Sequence, residues 1–528
     1  MTDSNNVSSI TIVGGGSSGW MTALYLNRLY NYSPQSQQQS SQQQRPVKIT
    51  VIESKDIGII GVGEATVHSI RFFFAAMGLD ENELLKETNA TLKTGIMFNN
   101  WMKPVDGKIH QYFHPFEHVQ IGPGLDIASR WLLGNRDNIE RFDQGASLSA
   151  HLVNHHHSPK MANARPYEGV VPYGYHLDAT LMSRYLRKKA VEAGVIHIEG
   201  TVSDVAVDDG NIASITTEHG EHHADIFIDS TGFKGLLIEK LKQDNWQSFE
   251  DALPCNKAVA MQIAYDKEQV PNPYTTATAL TNGWAWTIDL VNRRGTGYVY
   301  DGNKLTEEQA EAELKAHNGI DAKILKTVHL DMKVGCRKEF WVGNCIAIGL
   351  SGGFIEPLES TGLHIINIGA RLLATHLSSK DVPQTVKDSY NRLMNGAYQD
   401  LKQFIVLHYC LTNRDDTEFW QQAQRSVDYC PELKRNLEVW RHKVCEYFDL
   451  AGGYSTTFTD ENYRFILYGM QHYPHLNMHV DEAENEDVFE KFGRKAIQTV
   501  QNTLSHEDFL QSLHDMPLSE IAEIWSKH

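Results

Sequence analysis

Gly14, Gly16 and Gly19 occupy the first, third and sixth positions of a G-x-G-x-x-G run. That spacing lets backbone, rather than side chains, meet a pyrophosphate. Gly14 makes the turn, Gly16 allows the close approach, and Gly19 lets the next helix pack against the preceding strand. Glu53, at the end of the next expected strand, offers two acceptor oxygens that suit two ribose hydroxyls and would repel a 2′-phosphate. A second chemical stretch runs from Gly349 to Gly362 and contains Glu356, Glu359, Ser360 and Thr361. Where a helix starts after it, the Thr361 and Gly362 amides point outward as an anion site. Lys93, taken alone, reads as a solvated lysine at a helix end, favoured there by the helix dipole. These residues describe a dinucleotide site accompanied by a place for a small anion.

The elements that must hold them are legible in outline. Ile10 to Val13 is a β-branched strand, the glycine turn follows, and an apolar-striped helix starts at Trp20. Val47 to Glu53 is the second strand. Glu53 lies 34 positions after Gly19, but the 12-residue Gln/Ser tract Ser33 to Gln44 reads as a mobile surface insertion, and removing it leaves 22, close to the usual spacing of roughly 20. Gly61-Val62-Gly63-Glu64-Ala65-Thr66 gives a backbone able to run flat against a ring system. Helical patterns cover Ser69 to Met77, about Asp80 to Thr94, and Leu181 to Ala193. Asp208-Asp209-Gly210-Asn211 is a hairpin signal between strands Thr201–Val207 and Ile212–Thr217. Ala224 to Ser230 and Cys345 to Ile348 are buried strands. Between about 250 and 335 the pattern is alternating β, with Arg293-Arg294-Gly295 as a turn. Trp284, Trp286 and Ile288 share one face there, either as core or as the wall of an aromatic pocket. Helices then cover Leu363–Leu377, Val386–Leu407, Cys430–Phe448 and Asp487–Gln511.

Composition narrows the partners. At 528 residues the chain can bury a large core as two or three joined domains. A net charge of −18 argues against nucleic acid or an anionic membrane. No apolar run reaches the roughly 18 residues of a membrane span. Residues 1–9 resemble neither a signal peptide nor a transit peptide. Six scattered cysteines without C-x-x-C spacing favour reduced thiols and a cytoplasmic setting. His155-His156-His157 has no Cys or carboxylate at ligand spacing nearby, so it reads as a polar loop and no metal is expected.

Taken in order, the motifs resemble the tryptophan-halogenase family of flavin-dependent halogenases over about residues 8–475. The anchors are Gly14–Gly19 with Trp20, Gly61–Thr66, Asn89–Lys93, Tyr175-His176-Leu177-Asp178-Ala179, Trp284-x-Trp286-x-Ile288, Glu356–Gly362 and Arg414-Asp415-Asp416-Thr417-x-Phe419-Trp420. The resemblance implies an α/β fold. Its FAD-binding, Rossmann-like domain of flavin-monooxygenase type spans 8–110 with 175–245 and 330–375. A β-sheet substrate region is inserted at 111–174 with 246–329, and a helical C-terminal region covers 376–528.

The same resemblance implies that Lys93 and Glu359 are catalytic and that the Thr361 and Gly362 amides hold the halide. Gly15, Ser18, Ser54, Ile60, Val62, Ala65, Leu350 and Leu363 would line FAD. His114, Phe116, Trp284 and Trp286 would shape the substrate pocket. The implied reaction uses reduced FAD from a separate flavin reductase, O₂, and chloride or bromide. It makes hypohalous acid, which halogenates an electron-rich aromatic small molecule; a homodimer is left open. Two departures bear on this. Asp289 stands where the family's W-x-W-x-I-P motif has proline. The segment near Gly453–Tyr463 is shorter than in members that bind free tryptophan, so indole-type or phenolic substrates are expected. Two other readings stay open: a flavin monooxygenase that hydroxylates an aromatic ring, and a flavin-binding protein without chemistry of its own.

Overall fold

The computed structural model describes residues 5–31, 46–56, 58, 63–117, 125–136, 139–265, 269–319, 321–450, 457–518 and 520. The Ser33–Gln44 tract and the expected flavin-lining residues Ile60 and Val62 lie outside them.

The glycine turn belongs to a six-stranded sheet. Its order is Trp341–Val342, Cys345–Ala347, Ile226–Asp229, Ser9–Val13, Lys48–Glu53, Ile196–Glu199. All neighbours run parallel except the first pair. Ile10, Ile12, Val51, Ile226, Ile228 and Ile346 are buried, as a sheet covered on both faces requires. Helices Ser17–Asn31, Ala179–Glu192 and Gly362–His376 pack together beside it.

The second sheet has seven strands in the order Ile324–Asp331, Lys257–Ala264, Arg293–Tyr300, Gly283–Asp289, Thr275–Leu280, Gly95–Asn99, Gln111–Pro115. Residues 95–99 thus join the larger sheet rather than the nucleotide sheet. A small ribbon ties the two halves: Gly174–Leu177 pairs with Glu64–Ala65 on one side and with Thr91–Lys93 on the other. Ala65 and Thr91 both sit opposite His176, so the glycine-rich segment and the lysine strand share one scaffold.

Four expectations are corrected. The helix expected over Asp80–Thr94 ends at Glu87. Asn89 adopts a left-handed conformation (φ 50°), which asparagine tolerates better than most residues, and Thr91–Lys93 leaves it as a strand. Arg293 and Arg294 are strand residues, not the turn. They are held there by Asp178 (2.7 Å) and Asp289 (2.7 Å), and the turn is closed by Leu290 N–H on the Arg293 carbonyl. The Cys430–Phe448 pattern splits into Pro431–Val439 and Tyr447–Leu450, because Trp440 and Lys443 both fold back onto Asp449. The last pattern splits into Glu482–Asn502 and His506–His514. Ser505 caps the second piece by accepting from Asp508 N–H. The segment joining those two helices packs on the triple-His stretch, where His157 bridges to Ser505 and its Nδ1 donates to the Thr503 carbonyl.

Among the described residues no helix is long and apolar enough to cross a membrane.

Candidate active site

Lys93 is fully buried, contrary to the exposed helix-end lysine expected from local sequence. Its strand is pinned from two sides. Thr91 Oγ1 donates to the Asp289 carbonyl (2.6 Å). Leu92 N–H donates to His506 Nε2 (3.4 Å), whose ring is pushed down to about 4 by burial and is therefore an acceptor. Lys93 Nζ donates to Ser360 Oγ at 2.7 Å and lies 5.1 Å from the centre of the Phe116 ring. Burial lowers the ammonium to about 7, with the Glu359 charge opposing that fall. The amine is thus poised near neutrality, where an ordinary lysine would be charged.

Ser360 holds a left-handed conformation (φ 58°) after the 3-10 turn Pro357–Glu359. A side-chain-bearing residue there costs on the order of 1–2 kcal/mol. The turn directs Glu359 and Ser360 into the same buried space. Glu359 is fully buried and takes three contacts: His114 Nδ1 at 2.9 and 3.0 Å, and His408 Nε2 at 2.9 Å. Burial alone would raise the carboxyl, but His114 and His408 outweigh it and hold it down to about 2. His114 and Phe404 rings are 5.7 Å apart, and Phe458 stacks on Phe404 at 3.8 Å. Lysine, serine and carboxylate are thereby gathered among aromatic rings.

Glu356, one turn earlier, is also buried, and burial pushes it up to about 7. Its Oε2 accepts from Trp284 Nε1 (2.8 Å) and Tyr409 OH (2.8 Å). Trp284 is thus fixed by its N–H, while Trp286 packs against Gly297, where a Cβ would come within 2.1 Å of its ring.

Each of the three motif glycines meets a different constraint. A Cβ at Gly14 would meet the Ser230 carbonyl at 2.1 Å, and one at Gly19 would meet the Gly14 carbonyl at 1.9 Å. A Cβ at Gly16 would meet nothing within 4 Å. The chain is therefore tight where strand and helix touch and open where a pyrophosphate would lie, so the residues fit an FAD cradle. Gly15 backs onto Glu53 Oε2, and its carbonyl accepts from Ser183 Oγ (2.9 Å). Ser18 abuts Gly349, at the turn that leads into Leu350. Glu53 Oε1 is also engaged by Arg187 (2.9 Å) and lies 2.8 Å from His197. Ser54 Oγ shares a hydrogen bond with Thr201 Oγ1 (2.7 Å). Ala65 lies on the ribbon described above. Thr361 caps helix Gly362–His376 without a side-chain hydrogen bond, Gly362 faces open space, and Leu363 is buried.

Lys93, Glu359, His114 and Phe116, scattered in sequence, are brought to one buried place. The sequence assigns no role to Ser360, His408, Asn462, Phe404 or Phe458. Ser360 lay within a chemical stretch already identified. Nothing local marks His408 as different from any other helical histidine.

The sequence profile of the tryptophan halogenase family matches residues 9–486. The chain is 34% identical over 465 residues to tryptophan 6-halogenase SttH of Streptomyces toxytricini, covering 83% of this chain and 85% of that enzyme. It is 36% identical over 462 residues to 7-chloro-L-tryptophan 6-halogenase KtzR of Kutzneria sp., covering 82% and 85%. The crystal structure of a tryptophan halogenase from Shewanella frigidimarina superposes with a TM-score of 0.89 at 30% identity, covering 97% of this chain and 99% of that one. With the fold, the glycine cradle and the motif residues in agreement, the chain belongs to the tryptophan halogenase family and is a flavin-dependent halogenase.

Proposed function

We propose that this enzyme halogenates an electron-rich aromatic ring, of indole or phenol type, using reduced FAD from a separate flavin reductase, O₂, and chloride or bromide. The convergence of Lys93, Ser360 and Glu359 in a buried aromatic box carries this reading. Reduced FAD, when bound, would supply two of the four electrons that reduce O₂, the halide giving up the other two as it becomes an electrophilic halogen. The residues that would hold it are the Gly14–Gly19 turn with Ser18, Glu53, Ser54, Ala65, Leu350 and Leu363, together with Ile60 and Val62 outside the described residues. The Thr361 and Gly362 amides at a helix start suit the halide.

The remaining work falls to side chains. Lys93 hydrogen-bonds the electrophilic halogen species, or takes the halogen on its amine, and Ser360 fixes where Nζ points. Glu359 polarises the halogen or accepts the proton displaced from the ring. His114 and Phe116, together with Trp284 and Trp286, shape the ring's place and keep water from the electrophile. The relatives' names point to an indole ring, whereas the shortness of the sequence near Gly453–Tyr463, of which 453–456 lie outside the described residues, argues against a grip on the amino-acid part of free tryptophan.

The test supplies reductase, FAD, NADH, bromide or chloride, and a panel of indole, phenol and tryptophan, with products read by mass spectrometry. A halide-dependent mass gain supports the reading. Halide-independent addition of oxygen would replace it with aromatic hydroxylation, and absence of any product would leave flavin binding alone.

A further inference from the structure

The two histidines on Glu359 look alike in distance, yet their other contacts assign them different protons. His408 Nδ1 lies 2.9 Å from the Phe404 carbonyl. A carbonyl only accepts, so Nδ1 carries a hydrogen. His408 Nε2 lies 2.9 Å from Glu359 Oε1. If neither of those atoms held a hydrogen, two lone pairs would face each other in a dry site. The pair therefore keeps one proton between them.

His114 is fixed the other way. Its Nε2 is 3.0 Å from Asn462 Nδ2. The Asn462 amide cannot be flipped, because its Oδ1 accepts from Thr459 N–H at 2.9 Å, and a backbone N–H only donates. Asn462 thus donates to His114 Nε2, which has no hydrogen. His114 is neutral, and its single N–H, at Nδ1, goes to Glu359.

We propose that His408 is a resident imidazolium that keeps Glu359 ionised, while His114 is a neutral imidazole that only orients it. Donation from His114 favours the carboxylate, so the shared proton rests on His408. Aromatic rings surround His408: Phe98 at 4.9 Å, Phe404 at 5.3 Å and Trp101 at 6.1 Å. The other titratable groups near the pair are Lys93, Tyr112, Glu356 and Tyr409. Burial raises both tyrosines well above their ordinary range, leaving them neutral.

The inference deepens the halogenation reading and rests on it for its catalytic meaning. When the halogenated ring regains aromaticity, the C–H electron pair returns to the ring and its proton bonds to a Glu359 oxygen. An ionised Glu359 can accept that proton; a protonated one cannot. His408 acts through Glu359 and is a positioning residue.

Two measurements decide it. In ligand-free protein carrying ¹⁵N-histidine, the signal lost in His408→Gln and displaced in Glu359→Gln should show both ring nitrogens protonated from pH 6 to 9. The signal lost in His114→Gln should be the neutral Nδ1–H form. A neutral His408, or a doubly protonated His114, would overturn the assignment. The second measurement is single-turnover bromination from pH 3.5 to 9, since Glu359 is held down to about 2 in the wild type. His408→Gln keeps a donor toward Glu359 without its charge, so the acidic limb of the rate should rise by about 1–3 pH units and enter this range. His114→Gln should leave that limb where it is in the wild type. An unmoved limb in His408→Gln overturns the inference. If the wild type makes no brominated product, the functional reading fails, and the nitrogen signals alone judge the charges.

Discussion

Lys93 Nζ and Ser360 Oγ are joined by a 2.7 Å hydrogen bond between two buried side chains 267 positions apart. The bond ties the lysine strand to the residue immediately after Glu359. The distance between the two reacting groups is therefore set by a strand and a strained turn rather than by a flexible loop.

Lys93→Ala should abolish halogenated product while leaving FAD affinity and O₂ consumption near wild-type values, because the glycine cradle does not contain the lysine. Glu359→Gln should slow turnover without ending it. Losses on the order of 10²–10⁴ are expected for groups acting mainly in the transition state. Product analysis beside flavin titration checks both. Loss of flavin binding in Lys93→Ala would make Lys93 structural.

Burial of Lys93 also predicts a pH-dependent stability. Its folded-state value of about 7 lies below the roughly 10.4 of an unfolded lysine. Between those values the unfolded chain binds more protons, so wild-type stability gains from this group as pH rises. Below about 7 both states are charged and the burial cost is felt in full. Lys93→Met should therefore raise the urea midpoint of the ligand-free protein more at pH 7 than at pH 9.5. An equal gain at both pH values would contradict the desolvated lysine.

Gly16→Val should remove FAD binding with little effect on the apo protein's melting temperature, since the new side chain enters open space. Gly14→Val and Gly19→Val should instead lower the melting temperature, because each would drive a Cβ into a carbonyl. Unchanged FAD affinity in Gly16→Val would show that the cradle is misassigned.

Asp289, in the position of the family's proline, is a brace. Its carboxylate takes Arg294 at 2.7 and 3.2 Å and Asn272 at 3.1 and 2.9 Å, while its carbonyl accepts from Thr91 beside the lysine strand. Asp289→Pro leaves Arg294 without this partner. Since Arg294 is partly exposed, a loss on the order of 2–4 kcal/mol is expected, below the full cost of breaking a deeply buried pair. Chemical denaturation measures it; a change under about 0.5 kcal/mol, within the range of ordinary surface substitutions, would deny the brace.

Indole should be turned over with a higher kcat/KM than free tryptophan. Sequence length alone carries this: the segment near Gly453–Tyr463, of which 453–456 lie outside the described residues, is shorter than the resemblance expects of members that bind free tryptophan. Less chain is therefore available to hold an ammonium and carboxylate. Steady-state kinetics with both compounds checks this, and a clear preference for tryptophan would refute it.

Gly14, Gly16 and Gly19 announced their roles in the sequence because their constraints are local: a turn, a close approach, a strand beside a helix. The β-branched runs at Ile10–Val13 and Val47–Glu53 were legible for the same reason. Lys93 was not. Read locally it ends a helix in solvent, and only the pairing of Thr91–Lys93 with Gly174–Leu177 turns it inward. The charge states around Glu359 were hidden more deeply, since they depend on the Phe404 carbonyl, the Thr459 amide and the Asn462 side chain. A backbone preference is a property of a few adjacent residues and survives in the sequence. The desolvation and hydrogen bonding that set a buried group's charge come from whatever distant residues the fold places around it, and those only the tertiary structure decides.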